Sequence, residues 1–127
     1  MILISSVADI PGLIEGAWQN RGLGHGFLRH IQRCVCLIYI VDMTNNPQEQ
    51  YETLKNEIKM YDPSLLNKPS ILIGNKIDLP EAKENAEEMK TDLNISGKYS
   101  VNLRDLITMI RKFYEANKGN CTLPVKL

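Results

Sequence analysis

Ser70-Ile-Leu-Ile-Gly-Asn-Lys-Ile-Asp-Leu-Pro80 is the stretch that decides the fold of this chain. Within it, Ile71-Leu72-Ile73 is a short apolar run, rich in β-branched residues and bounded by Pro69 and Gly74. This pattern predicts a strand buried on both faces, as the strands of parallel sheets are. Such sheets bind ligands just beyond the carboxyl ends of their strands. The polar residues that follow Gly74 are therefore candidate ligand contacts.

Those residues, Asn75-Lys76-Ile77-Asp78, have the chemistry to recognise guanine. An ionised Asp78 can accept two hydrogen bonds from the N1 and amino donors of guanine, whereas adenine would leave the carboxylate unpaired. A bidentate base contact contributes about 1–3 kcal/mol of discrimination. Lys76 can lay its methylene stem along the base, and Asn75 can bond both the base and the neighbouring backbone. A polar loop with a helix cap is the alternative for so short a motif.

A second candidate site lies upstream, where Asp9-Ile10-Pro11-Gly12 ends a predicted strand over residues 2–7. Pro11 removes a backbone donor, and Gly12 permits a close or unusual backbone path. Asp9 could hold Mg²⁺, directly or through water, while the Gly12 amide faces a terminal phosphate. A strand-terminating turn is the alternative, and for this motif alone it is the commoner interpretation.

The segment after this motif, residues 13–26, contains four glycines and predicts a mobile loop rather than a regular element. A mobile segment beside a phosphate site suits a nucleotide-dependent switch. A helix over about residues 24–34 should follow, because apolar residues recur there at helical spacing.

Downstream, strands and helices alternate. Residues 35–41 predict the strongest strand, which stops at Asp42, and Asn46 as N-cap with Pro47 begins a helix. That helix ends at Asp62-Pro63, and its buried stripe is predicted to be Tyr51, Leu54, Ile58 and Tyr61. The alternation predicts an α/β fold with a mostly parallel sheet.

Two more helices complete the predicted pattern. Residues 81–93 predict a charged, solvated helix with weak periodicity. Asn102 with Asp105 resembles a capping box. It precedes an amphipathic helix with the apolar residues Leu103, Leu106, Ile107, Ile110 and Tyr114. We expect residues 1–116 to form the domain and residues 117–127 to form a tail.

Composition narrows the class of protein. The 127 residues suffice for one domain or part of one. Fifteen basic residues balance fifteen acidic ones, so no basic footprint marks an autonomous nucleic-acid binder. Three cysteines without C-x-x-C spacing indicate a reducing compartment, and Cys34 and Cys36 are predicted to be small buried residues at or inside a strand. No apolar run approaches the roughly 20 residues that span a bilayer, and the start resembles neither a signal nor a transit peptide.

Other catalytic chemistry finds little support in the sequence. His25 and His30 have no Cys or Glu at zinc-ligand spacing. There is no G-x-S-x-G, and no base is placed by sequence for Ser5 or Ser6. Hydrolysis through a covalent intermediate is therefore set aside.

Three stretches together resemble the Obg family of GTPases, and the resemblance covers about residues 2–115. They are Asp9-Ile-Pro-Gly-Leu-Ile-Glu-Gly-Ala17, Gly22-Leu-Gly-His-Gly-Phe-Leu-Arg-His30 and Asn75-Lys-Ile-Asp78. Residues 19–21, 30–34 and 75–82 are most similar to a mitochondrial, ribosome-associated branch. The resemblance implies a P-loop GTPase-like sheet with flanking helices, GTP or GDP with Mg²⁺, and a ribosomal subunit or rRNA as partner. It implies a mitochondrial location, with the cytoplasm as the alternative.

The resemblance also implies roles for single residues. Asp9 takes a water-mediated Mg²⁺ contact and Gly12 a γ-phosphate contact, and residues 13–26 form switch II. Leu13 stands where some GTPases carry a water-orienting Gln, so intrinsic hydrolysis should be slow. Asn75, Lys76 and Asp78 form the base-recognition motif. Ser96-Gly97-Lys98 stands where the family has Ser-Ala-x, with a backbone amide that approaches guanine O6.

The sequence departs from the family in its phosphate-binding part. It contains no G-x-x-x-x-G-K-[ST], no switch I threonine and no glycine-rich N-terminal domain. The strand expected between residues 2–7 and 35–41 in the family sheet is missing, which would leave costly unpaired ladder groups. We therefore expect an incomplete, carboxyl-terminal part of a G domain that binds GTP weakly and does not hydrolyse it measurably alone. Two alternatives are a non-catalytic ribosome- or protein-interaction module with a vestigial guanine site and, less well supported, a flavodoxin-like domain.

Overall fold

A computed structural model describes residues 33–120 of the chain, a part built from three strands and the helices around them. Its strands are β1 (Leu37–Asp42), β2 (Ser70–Asn75) and β3 (Leu93–Asn94). Its α-helices are α1 (Pro47–Tyr61), α2 (Pro80–Glu88) and α3 (Leu103–Asn117), with 3-10 helices at Pro63–Asn67 and Lys118–Asn120. The strand predicted at 2–7 and the loop at 13–26 lie outside the described residues. So does the helix predicted at 24–34, except for its last two residues.

The three strands form one sheet in the order β1-β2-β3, and both pairs are parallel. Leu37 stands opposite Ser70, and Asp42 stands opposite Asn75. β2 lies between the other two strands, and helices cover its apolar run on both faces, so Ile73 is fully buried. The predicted α/β class and the doubly buried strand are confirmed.

Apolar residues pack on both faces of this sheet. Side chains alternate between the faces of a strand, so β1 and β2 each contribute to two clusters. One face packs against α1 and α2 through Tyr39, Val41, Met43, Leu72, Ile58, Ala82 and Met89. The other packs against α3 through Ile71, Ile73, Ile95, Leu103, Leu106, Met109, Ile110 and Phe113. The described part is therefore a sheet between two layers of helices, and its carboxyl edge stays open for loops.

Helix α1 begins and ends where the sequence predicts. Asn46 is its N-cap residue, although its backbone is left-handed (φ 44°) and its side chain makes no capping hydrogen bond. Asp62 ends the helix, and its carboxylate accepts hydrogen bonds from Ser64. Tyr51, Leu54 and Ile58 pack against the sheet as predicted, and the Tyr51 ring meets Tyr39 edge-on with centroids 5.2 Å apart.

The strand predicted at residues 35–41 begins later, at Leu37. The Leu37 amide donates to the Pro69 carbonyl at 2.9 Å, but Pro69 has no N–H to return a bond to the preceding part of the chain. Cys34 and Cys36 consequently precede the strand and are only partly buried. The prediction that both are buried is wrong, and both lie just before the strand rather than inside it.

Helix α2 is shorter than the predicted span of residues 81–93, and most of its residues are exposed, as predicted. It ends at Glu88, and Ala82 is fully buried. Beyond it, the Asp92 carboxylate accepts a hydrogen bond from the Leu72 amide at 2.7 Å, and the Asp92 amide donates to the Leu72 carbonyl. These bonds attach the chain to β2, so the helix cannot continue to the predicted end.

Helix α3 differs from prediction in its cap and in part of its buried face, on which Leu103, Leu106 and Ile110 are confirmed. Asn102 is the N-cap residue with φ 60° but makes no side-chain cap. Its amide instead donates to the Asn94 carbonyl at 2.8 Å, so the predicted capping box is absent. Met109 and Phe113 belong to the buried face, whereas Ile107 is 61% exposed. Among the helices described, none is both long and apolar enough to cross a membrane.

Candidate functional site

Loops from all three strands meet at the carboxyl edge of the sheet. Asn75 ends β2 and residues 76–78 follow it, while residues 95–102 lead from β3 to α3. The second loop is closed by a bridge in which Ser96 and Val101 exchange backbone hydrogen bonds of 3.2 and 3.0 Å. This edge is where an α/β sheet places its ligand.

Three hydrogen bonds join the loop after β2 to the loop after β3. The Ser96 hydroxyl donates to Asp78 Oδ1 at 2.7 Å. The Gly97 amide donates to Asn75 Oδ1 at 3.1 Å, and the Ile77 amide donates to the Ile95 carbonyl at 3.1 Å. The two segments that the sequence predicts to share a site are therefore in direct contact.

Asn75 organises the turn that carries this polar motif. Its Oδ1 also accepts a hydrogen bond from the Lys76 amide at 2.8 Å. Lys76 adopts a left-handed backbone (φ 65°), and the Leu79 amide closes the turn on the Lys76 carbonyl at 3.1 Å. The side-chain oxygen of Asn75 is thus used within the protein, which leaves its NH₂ group as the donor available to a ligand.

Asp78 is fixed by one of its two carboxylate oxygens. Ser96, which holds Oδ1, is fully buried, and its hydroxyl also accepts a hydrogen bond from the Tyr99 amide at 3.2 Å. No residue within 33–120 bonds to Oδ2 of Asp78, and the side chain is only half-buried. A carboxylate held in this way can still accept a pair of donors from a ligand.

Lys76 is anchored on the side of β1 by Asp42, which the sequence indicates only as the end of a strand. Its ammonium lies 2.7 Å from Asp42 Oδ2. Asp42 Oδ1 accepts hydrogen bonds from the Thr44 amide at 2.9 Å and hydroxyl at 2.6 Å. Partial burial raises the pKa of Asp42, but the hydrogen bonds from Lys76 and Thr44 outweigh it, so the pKa lies below the ordinary value. Only the register of β1 and β2 shows that these two residues are neighbours.

The upstream site residues, Asp9 and Gly12, lie outside the described residues. Their assignment to Mg²⁺ and to a terminal phosphate stays a prediction. The same holds for switch II at residues 13–26.

The described part is an α/β unit whose parallel sheet, flanking helices and edge loops are consistent with a partial P-loop GTPase domain. A model of the family described as 50S ribosome-binding GTPase matches residues 5–76, more than half of the chain. The chain therefore belongs to this family of GTPases.

Relatives from animals and bacteria agree with this assignment. The chain is 44% identical over 117 residues to mitochondrial ribosome-associated GTPase 2 of Pongo abelii, and 43% identical over the same length to that of Homo sapiens. It is 42% identical over 115 residues to GTPase Obg of Listeria welshimeri. The matches cover 82–87% of this chain but only 27–29% of these relatives. The predicted resemblance to Obg-type GTPases and to the mitochondrial branch is confirmed, and the chain spans less than a third of the relatives' length.

Proposed function

We propose that this chain binds guanine nucleotides at the carboxyl edge of its sheet, as part of an Obg-type GTPase acting in ribosome assembly. The observation that carries the proposal is the pair of hydrogen bonds from Ser96 to Asp78 and from Gly97 to Asn75. Two chemically suitable segments, distant in sequence, are held together where an α/β sheet binds its ligand.

The arrangement suits guanine better than adenine. Asp78 presents an unbonded oxygen and a second one held by Ser96, which together match the N1 and amino donors of guanine. Adenine offers no such pair, and a desolvated carboxylate without donors is costly. The Asn75 NH₂ group is free to donate to the base. The Gly97 amide is already used by Asn75, so the adjacent Lys98 amide is our candidate donor to O6.

We propose that the upstream residues bind the phosphate end of the nucleotide. Asp9 would hold Mg²⁺ and the Gly12 amide would face the terminal phosphate. When bound, Mg²⁺ would neutralise charge on the phosphate oxygens. These assignments follow the sequence motif and its resemblance to the family, and mutation of Asp9 is the direct way to examine them.

The ribosomal role and the location come from the relatives. The family description names 50S ribosome binding, and two relatives are named as mitochondrial ribosome-associated proteins. We propose a ribosomal subunit or rRNA as the partner and the mitochondrion as the location. The bacterial Obg relatives make the cytoplasm the alternative.

A competition titration tests the base-binding proposal. Fluorescent GDP is titrated into the purified chain and displaced with unlabelled GDP or ADP. We expect GDP to compete at least about fivefold better than ADP, since a bidentate base contact contributes about 1–3 kcal/mol. Asp78→Asn should abolish this preference. Glu87→Gln, which removes the same charge from an exposed position on α2, should retain it.

Equal competition by GDP and ADP in the wild-type chain would contradict the proposal. It would favour a non-catalytic interaction module in which these loops no longer read a base.

A further inference from the structure

We infer that Asp42 is a positioning residue of this guanine site: its carboxylate anchors the Lys76 ammonium and so holds the Lys76 stem as one wall of the base pocket. The inference rests on the proposed guanine binding and adds a residue that neither base-binding motif contains. Asp42 acts through Lys76 and does not itself touch the nucleotide.

The register of the sheet places the two residues for this contact. Asp42 stands opposite Asn75 at the ends of β1 and β2, and Lys76 is the next residue along. Neighbouring strands are about 4.8 Å apart, so a lysine anchored on the adjacent strand must lay its methylene groups across that gap. The Lys76 side chain is still 51% exposed. About half of the side-chain surface is therefore accessible, which leaves room for a planar ligand to pack against the stem.

Asp42 is itself held firmly enough to act as an anchor. The Gln50 side chain accepts a hydrogen bond from the Asp42 amide at 2.9 Å and donates one to the Asp42 carbonyl at 2.8 Å. Thr44 holds Oδ1 with two hydrogen bonds. The backbone and one carboxylate oxygen are thus fixed from α1 and from the following turn, and Oδ2 faces Lys76.

The polar motif is consequently tethered on both sides. On the side of β3, Ser96 and Gly97 hold Asp78 and Asn75. On the side of β1, Asp42 holds Lys76. The first set of contacts orients the groups that would read the edge of the base, and the second orients the stem that would pack against its face. If Asp78 were fixed but Lys76 were mobile, the Lys76 side chain would have to be ordered when the nucleotide binds. The entropy lost in that step would lower the affinity.

If Asp42 served only to stabilise the fold, its substitution would change stability and leave nucleotide binding unchanged. The positioning role predicts the opposite for Asp42→Asn. The bonds to Thr44 need only an oxygen, which asparagine also supplies, so Asp42→Asn keeps the turn but loses the charge opposite Lys76. Partly exposed ion pairs contribute little to folding stability. The variant should therefore remain folded and bind the nucleotide more weakly.

The test is a double-mutant cycle on the full chain, followed by NMR titration with GDP and with inosine diphosphate, which lacks the 2-amino group. The variants are Asp42→Asn, Lys76→Met and both together, with Glu87→Gln as the charge-matched control. We expect each single variant to bind GDP about two- to fivefold more weakly. The double variant should be no weaker than Lys76→Met, and the GDP-to-inosine diphosphate ratio should stay unchanged because Asp42 does not face the base edge.

Two results would overturn the inference. One is wild-type affinity in Asp42→Asn, and the other is additive losses in the double variant, which would mean that Asp42 acts independently of Lys76. If Asp42→Asn does not fold, Lys76→Arg, which keeps the ion pair, should bind more tightly than Lys76→Met, and equal affinities would contradict the inference. Failure of the wild-type chain to prefer GDP over ADP would instead overturn the proposed function.

Discussion

At the residue scale, Gly74 lies where β2 passes too close to the Met43 and Asn94 side chains to leave room for a Cβ. A Cβ added at Gly74 would lie 2.7 Å from Cγ and Sδ of Met43 and would also collide with the Asn94 side chain. Met43 is fully buried and packs in the core, so it cannot move aside freely. Gly74 is therefore required for space.

We predict that Gly74→Ala lowers the free energy of unfolding by about 1–3 kcal/mol, the usual cost of overpacking a core. Gly97→Ala is the control, because a Cβ there would lie 3.8 Å from the nearest atom, Asn75 Oδ1. That variant should be unchanged or more stable by about 0.4–1 kcal/mol, since alanine has less freedom in the unfolded chain. Urea denaturation of both variants measures the difference. Equal midpoints would contradict the prediction.

Asp42 gives a prediction for pH. Its pKa in the folded chain lies below the ordinary value of an aspartate, so the folded state favours the ionised form. The resulting stabilisation is complete above the unfolded pKa and is lost as the pH falls through the folded pKa. The difference in unfolding free energy between the wild type and Asp42→Asn should therefore be constant above about pH 5 and shrink below about pH 4. A difference that grew on acidification would contradict the assignment of Lys76 and Thr44 as its cause.

At the scale of elements, α3 illustrates how a correctly predicted helix can have one residue, Ile107, wrongly assigned to its buried face. The apolar residues of this helix include more positions than one face can bury, and the sequence places Ile107 inside. The structure confirms Leu103, Leu106 and Ile110 on the face toward the sheet, and it adds Met109 and Phe113. The rotation of the helix about its axis is set by what it packs against, in this case the face of β2 that carries Ile71 and Ile73.

A matched pair of substitutions tests this assignment. Ile110→Ala should lower the free energy of unfolding by about 2 kcal/mol, at the low end for a core isoleucine because the side chain is only partly buried. Ile107→Ala should change it by less than about 0.5 kcal/mol, because this side chain is exposed. Thermal or urea denaturation of the two variants gives the comparison, and a larger loss at Ile107 would restore the face predicted from the sequence.

At the scale of the whole molecule, the residues that we propose for base recognition and those that we propose for phosphate binding come from separate parts of the chain. The proposed base contacts lie within residues 75–98, whereas Asp9 and Gly12 lie outside the described residues. No G-x-x-x-x-G-K-[ST] occurs in the 127 residues. GTP hydrolysis depends chiefly on positioning the phosphates and Mg²⁺, so a chain without that loop should bind nucleotide without turning it over.

We therefore predict that the purified chain releases phosphate from GTP no faster than a protein-free blank containing Mg²⁺. The Asp78→Asn variant serves as the control for a contaminating GTPase, because turnover by a contaminant would not respond to this substitution. Turnover at an ordinary GTPase rate without added protein, sensitive to Asp78→Asn, would contradict the prediction.

The sequence by itself determined the central strand, the bounds of α1 and the motif at residues 75–78. Each is encoded locally: an apolar run between Pro69 and Gly74, a Pro47 start with an Asp62 stop, and polar residues directly after a strand. The family resemblance also rests on contiguous motifs. Such signals need no knowledge of what a residue will meet in the fold.

Only the tertiary structure decided which distant groups touch. The register of β1 against β2 sets Asp42 beside Lys76, and β3 brings Ser96 to Asp78. The tertiary structure also sets the first residue of β1, Leu37, which pairs next to Pro69, and the rotation of α3 that buries Met109 and Phe113. The reason is physical: these contacts depend on strand pairing and packing between segments far apart in the chain, and one residue's shift in register would turn the side chains to the other face.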